Sequence, residues 1–87
     1  MKQLAVTVTN KLGLHARPSA LLVRAATKYR SEFFIEKDGT RVNGKSIMGV
    51  MMLAAECGSH LDLIADGVDE DYLLSEIKGL IDSGFGE

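Results

Sequence analysis

The hexapeptide Gly13-Leu14-His15-Ala16-Arg17-Pro18 concentrates the chemistry of this sequence. An apolar helical run follows it, so His15 falls where a loop becomes a helix. The first N–H groups of a helix have no internal partner, and with the helix dipole they form an anion site. A neutral imidazole nitrogen is abundant near pH 7 and attacks phosphorus without deep burial or a strong base. Arg17 adds a planar cationic fork suited to phosphate oxygens. Pro18 has no N–H, so the backbone donors facing such a site must come from neighbours such as Ala16 and Arg17. The pattern suits a histidine that takes up and releases a phosphoryl group. Taken alone it also suits a plain capping histidine beside a surface arginine, because short motifs recur by chance.

Ser46 is the second candidate, as the N-cap of a later helix. A phosphoryl group there would sit at a helix N-terminus and add roughly −2 charge, a switch compatible with the fold. The segment from Gly39 to Ser46 matches the phosphate-binding pattern G-x-x-x-x-G-K-[ST]. That pattern needs a crossover helix leading to a parallel strand and a magnesium-binding Asp. Here Asp38-Gly39 reads as a hairpin turn and Thr40-Arg41-Val42 as its return strand, which argues against nucleotide hydrolysis. Ile47, Met48 and Met51 suit an adaptable docking patch beside the serine, though core packing must claim some of them. His60 reads as a solvated strand residue and Cys57 as a small buried apolar one. Two histidines so far apart, with no cysteine cluster, make a poor metal site, so no metal is expected.

The elements that must position these residues follow from periodicity. Leu4 to Thr9 alternates and is rich in β-branched residues, predicting a strand. A helix over Ser19 to about Tyr29, with Pro18 in its first turn, would bury Leu21, Leu22, Ala25 and Ala26. Ser31–Lys37 and Thr40–Val42 form a hairpin. A second helix starts at Ser46 and is closed by Gly58, and His60–Ala65 makes a fourth strand. A last helix opens on Asp69, Glu70 and Asp71, and its apolar face is Leu73, Leu74, Ile77, Leu80 and Ile81. The order β-α-β-β-α-β-α predicts an α+β fold, one sheet with helices on one face.

At 87 residues and 46% apolar, the chain is expected to form one domain over residues 1–87. A net charge of −2 gives no general pull toward nucleic acid or anionic lipid. Of its ten Lys and Arg residues only Lys78 lies after Lys45, so the first half could offer a basic face to an acidic partner. No segment reads as a signal peptide or bilayer span, which points to the cytoplasm.

Gly13–Pro18 together with Val42-Asn43-Gly44-Lys45-Ser46-Ile47-Met48-Gly49-Val50-Met51 resembles the HPr/NPr family, the histidine-containing phosphocarriers of the bacterial phosphoenolpyruvate-dependent phosphotransferase system. The resemblance runs in register over nearly the whole chain. It implies an open-faced β-sandwich, a four-stranded antiparallel sheet covered by three helices. It implies that enzyme I phosphorylates His15 at Nδ1 and that an enzyme IIA-type acceptor receives the group. Arg17 would steady the phosphohistidine and the first helix N-terminus, at Ala16 and Arg17, would hold its oxygens. Leu14, Ala20, Leu21, Ile47, Met48 and Met51 would form the docking surface, with Arg24 and Lys45 on its rim. Ser46 matches the serine that an HPr kinase/phosphorylase marks in many members. Such a protein is a monomeric carrier, not an independent enzyme, and needs no cofactor. The lead-in Asn10–Gly13 and the tail Ser83-Gly84-Phe85 also resemble the nitrogen-branch paralogue NPr, so a mainly regulatory role remains an alternative. The relative Crh lacks the active histidine, and His15 argues against that type.

Overall fold

The computed structural model describes residues 1–87. Strand β1 (Lys2–Thr7) leads through a loop to helix α1 (Ala16–Ala26). Strands β2 (Glu32–Lys37) and β3 (Thr40–Asn43) form a hairpin turned at Asp38 and Gly39, both with positive φ. Helix α2 (Ile47–Met52), strand β4 (His60–Asp66) and helix α3 (Glu70–Asp82) follow, and a short 3-10 turn covers Gly84–Gly86.

The sheet order is β1-β4-β2-β3 and every pair is antiparallel. Register places Leu4 opposite Leu63, Val6 opposite Leu61, Phe33 opposite Ala65 and Ile35 opposite both Leu63 and Val42. These residues share one face, because side chains alternate along a strand. They pack with Leu22, Val23, Ala25 and Ala26 of α1, Val50 of α2, and Leu73, Leu74, Ile77 and Ile81 of α3 into one apolar core. Burying a side chain such as Phe33 contributes roughly 1.5–3 kcal/mol. The other face carries Thr7, His60, Asp62, Glu36 and Arg41, and stays open to solvent apart from a patch where Phe34 opposes Ile64. Arg41 lies 6.0 Å over the Phe34 ring and covers that patch. The architecture is an open-faced β-sandwich.

The element order follows the sequence reading, and the boundaries differ for physical reasons. Helix α1 begins at Ala16, three residues before the expected start, and Val23 takes the buried place expected for Leu21, which is half-buried. Helix α2 ends at Met52, well short of Gly58, because Ala54 adopts φ 50 and turns the chain. Strand β1 ends at Thr7, but Val8 N–H still donates to Ser59 O at 2.9 Å and Gly58 N–H to Val8 O at 2.8 Å. Asp69 is the N-cap residue of α3, and Leu73 N–H donates to its carbonyl at 3.0 Å, but its side chain makes no bond to the helix end. Its carboxylate instead accepts from Arg30 N–H, Ser31 N–H and the Ser31 hydroxyl, tying the start of β2 to the start of α3.

Candidate functional site

His15 is the N-cap of α1, with extended backbone (φ −76°, ψ −171°) and no side-chain bond to the helix end. Its ring is therefore free for other contacts. Ser19 N–H closes the first helical bond, onto His15 O at 3.0 Å. As the first residues of the helix, Ala16 and Arg17 have N–H groups without helical partners, and Pro18, next in line, has no N–H to add. The preceding loop is held firmly. Leu14 N–H donates to Ala55 O at 2.8 Å, the Ser19 hydroxyl donates to Leu14 O at 3.0 Å, and Asn10 Nδ2 donates to Gly13 O at 2.7 Å. Leu14 itself is only 4% exposed and belongs to the core. That corrects its expected place on a docking surface: its side chain anchors the loop from below.

A residue the sequence reading did not single out completes the site. Glu87 Oε2 lies 3.0 Å from His15 Nε2 and accepts from Arg17 Nη1 at 3.2 Å, while Oε1 accepts from Asn10 Nδ2 at 3.1 Å. Partial burial pushes the Glu87 carboxyl up, but the bonds from Asn10, His15 and Arg17 outweigh it and hold the group below its ordinary value. The tail reaches this position through Gly84, Phe85 and Gly86, all with positive φ. Left-handed backbone costs a non-glycine residue roughly 1–2 kcal/mol. Full burial of the Phe85 side chain offsets that cost and pins the tail to the core. The Gly-Phe-Gly pattern was the one available sequence signal, because glycines flanking an aromatic suit such a pinned turn.

Helix α2 presents the second candidate region. Ser46 Oγ accepts from Gly49 N–H at 3.1 Å, the expected N-cap bond. Val50 is fully buried, whereas Ile47, Met48, Met51 and Met52 are exposed, Met48 at 76% and Met52 at 77%. Met52 joins the expected patch, and Leu12, in the loop before His15, is a further exposed apolar residue that sequence reasoning missed. Helix α1 contacts α2 and supplies half-buried Ala20 and Leu21 with exposed Arg24. Lys45 is half-buried and donates to Tyr29 O at 2.7 Å, so its charge is drawn toward the end of α1.

The remaining candidates stand apart. Gly39 lies in the hairpin turn and β3 consumes the middle of the G-x-x-x-x-G-K-S match, so no phosphate-binding loop forms. Cys57 is exposed, correcting its expected burial, because the loop after α2 carries it out to where its thiol donates weakly to Thr9 O. His60 is exposed, with Nδ1 3.2 Å from Thr7 Oγ1. No three His, Cys, Asp or Glu side chains are grouped closely enough to hold a metal ion. One cavity of about 330 Å³ lies between β1 and α3, lined in part by Thr7, His60, Asp62 and Lys78, and none of His15, Arg17 or Ser46 borders it. No helix is long and apolar enough to cross a membrane.

An open-faced sandwich that sets a histidine, an arginine and two free N–H groups at one helix end defines a class of small anion-handling proteins. Residues 2–83 match the family model described as the PTS HPr component phosphorylation site. The chain belongs to that family, the HPr phosphocarriers of the phosphotransferase system. It is 50% identical over 82 residues to the phosphocarrier protein HPr of Treponema pallidum, covering 94% of this chain and 93% of that one. The crystal structure of HPr from Thermoanaerobacter tengcongensis superposes with a TM-score of 0.97 at 46% identity, covering 100% of this chain and 98% of that one. Crh of Bacillus subtilis, described as a catabolite repression protein in a domain-swapped dimer, superposes with a TM-score of 0.78 at 45% identity and 97% coverage of both chains.

Proposed function

We propose that the protein accepts a phosphoryl group on His15 Nδ1 from phosphorylated enzyme I and passes it to an enzyme IIA-type acceptor. The observation that carries this reading is His15 at the N-cap of α1, beside the unpaired Ala16 and Arg17 N–H groups and the Arg17 guanidinium. In the transfer, the Nδ1 lone pair forms a bond to phosphorus as the donor's bond to phosphorus breaks, and the donor keeps that electron pair. The helix end and Arg17 stabilise the oxygens on the transferring group. The return step runs the same chemistry onto the acceptor, so the protein is a carrier and its partners supply the rest of the machinery.

Ile47, Met48, Met51 and Met52 on α2, with Ala20, Leu21 and Arg24 of α1, form the surface on which both partners dock in turn. Exposed methionines suit successive partners because their side chains repack easily. Phosphorylation of Ser46 by an HPr kinase/phosphorylase would place negative charge at the edge of that surface and weaken docking. One copy of residues 1–87 holds the entire site, so a monomer suffices. The protein works in the cytoplasm, where phosphoenolpyruvate is available. Crh-like relatives favour a regulatory role as a second reading, and the presence of His15 argues for transfer as the primary one.

The test incubates the protein with enzyme I, magnesium and phosphoenolpyruvate, and measures intact mass. One acid-labile phosphoryl group, lost in His15→Ala, is the expected result. No addition from an enzyme I shown to be active would overturn the carrier reading and leave the regulatory one.

A further inference from the structure

The geometry points to Glu87 as a positioning residue that fixes the tautomer of His15, so that Nδ1 keeps its lone pair as the nucleophile. This rests on His15 being the phosphoryl acceptor. A carboxylate can only accept hydrogen bonds, so the 3.0 Å contact between His15 Nε2 and Glu87 Oε2 requires the proton to sit on Nε2. A neutral imidazole carries one N–H, and Nδ1 is then unprotonated. Two further donors hold the carboxylate in place: Arg17 Nη1 on the oxygen that meets the ring, and Asn10 Nδ2 on the other. Asn10 is buried and also bonded to Gly13 O, so it references Glu87 to the same loop that carries His15. The pinned Phe85 delivers the carboxylate from the far end of the sequence.

The contact also matches what happens to the ring on transfer. When the Nδ1 lone pair is committed to phosphorus while Nε2 keeps its proton, the imidazole ring becomes positively charged. The neighbouring Glu87 carboxylate balances that charge without any proton changing place. The same logic operates wherever a histidine's second nitrogen is oriented by a carboxylate.

Two measurements test the inference on the intact protein. Imidazole nitrogen-15 shifts of unphosphorylated, neutral His15 should report the Nε2–H tautomer alone in the native protein. In Glu87→Ala they should relax to the tautomer mixture of a free imidazole, and Glu87→Gln, which keeps an acceptor, should restore much of the preference. Identical tautomer populations in native protein and Glu87→Ala would overturn the assignment. Phosphoryl acceptance from enzyme I should fall by about tenfold in kcat with KM unchanged, because the Glu87 carboxylate bonds only to Asn10, His15 Nε2 and Arg17 and to no residue of α2. A change confined to KM would overturn it as well. The tautomer reading needs no partner protein, so it stands or falls separately from the carrier assignment.

Discussion

Replacing Gly13 by Ala tests how the β1–α1 loop sets His15 in position. Gly13 has φ +70°, and a Cβ built there would lie 2.3 Å from Ala55 O and 2.8 Å from Glu56 Cα. Both are backbone atoms, so no side chain can swing aside. Alanine in the left-handed region costs roughly 1–2 kcal/mol. Relieving the clash means moving residues 13–14 away from 55–56, which sacrifices the 2.8 Å bond from Leu14 N–H to Ala55 O, about 1 kcal/mol more. The sum is roughly 2–3 kcal/mol, a fall in Tm of about 10–20 °C for a domain of this size. Gly39→Ala is the matched control, because Gly39 has φ +83° but no heavy atom within 4 Å of its Cβ position. It should lose only the conformational part, about 1–2 kcal/mol. Thermal and urea unfolding of both variants, with phosphorylation rates measured well below each Tm, separate the contributions. Gly13→Ala should also accept phosphoryl groups more slowly, since the shift carries His15 with it. Equal destabilisation of the two variants, or a Gly13→Ala protein of native stability and native rate, would refute the reasoning.

Arg17→Ala should cut phosphoryl acceptance at least about tenfold while changing stability by no more than about 0.5 kcal/mol, because Arg17 is 61% exposed and its one ion pair is with Glu87; parallel urea titrations and phosphorylation kinetics check both halves. Ser46→Ala should lose about 1 kcal/mol with the Gly49 cap bond, whereas Ser46→Asp, which can still cap, should keep its stability and yet slow acceptance from enzyme I. Bonds from the Ser31 hydroxyl and from the Arg30 and Ser31 N–H groups lower the Asp69 carboxyl from 3.8 to about 2. Its contribution to stability is therefore complete above pH 3.8 and lost as pH falls through about 2, so denaturant titrations between pH 2 and 5 should show a loss that Asp69→Asn abolishes.

What was legible in the sequence is what depends on near neighbours. The helix start at His15 could be read because Pro18 and the apolar run mark it locally, and the Ser46 cap because Asn-Gly-Lys-Ser ends a hairpin and opens a helix. The Asp38-Gly39 turn could be read because two consecutive positive-φ residues are favoured there, and that turn is also what excludes the phosphate-loop match. Contacts spanning the chain were not legible. Glu87 meets His15 across 72 positions, and nothing in either neighbourhood names the other. The family resemblance placed Leu14 on the docking surface, but it is buried, and its N–H is held by Ala55 O on the loop that follows the turn at Ala54. Cys57 failed in the opposite direction: an apolar preference yielded to a loop that carries it to the surface, with its thiol toward Thr9 O.

Helix α2 explains why a mark on Ser46 could act on docking without disturbing the fold. Six residues are too few to hold a helix in water on propensity alone. Its shape is kept by the Ser46 cap at one end, by Val50 in the core and by Leu53 where it ends. A phosphoryl group on the Ser46 oxygen brings acceptor oxygens and negative charge to the positive end of the helix dipole, which strengthens the cap. Melting of α2 is then the wrong explanation for any inhibition. The change falls instead on the partner: Ile47 directly follows the marked residue, and Met48 and Met51 continue the exposed apolar surface from there. A partner that buries those side chains would have to desolvate the added charge beside them or pair it, and an acidic partner can do neither cheaply. Under the proposed function, a mark on Ser46 would therefore act by making a correctly folded surface unsuitable, and it would leave the contacts among His15, Arg17 and Glu87 in place.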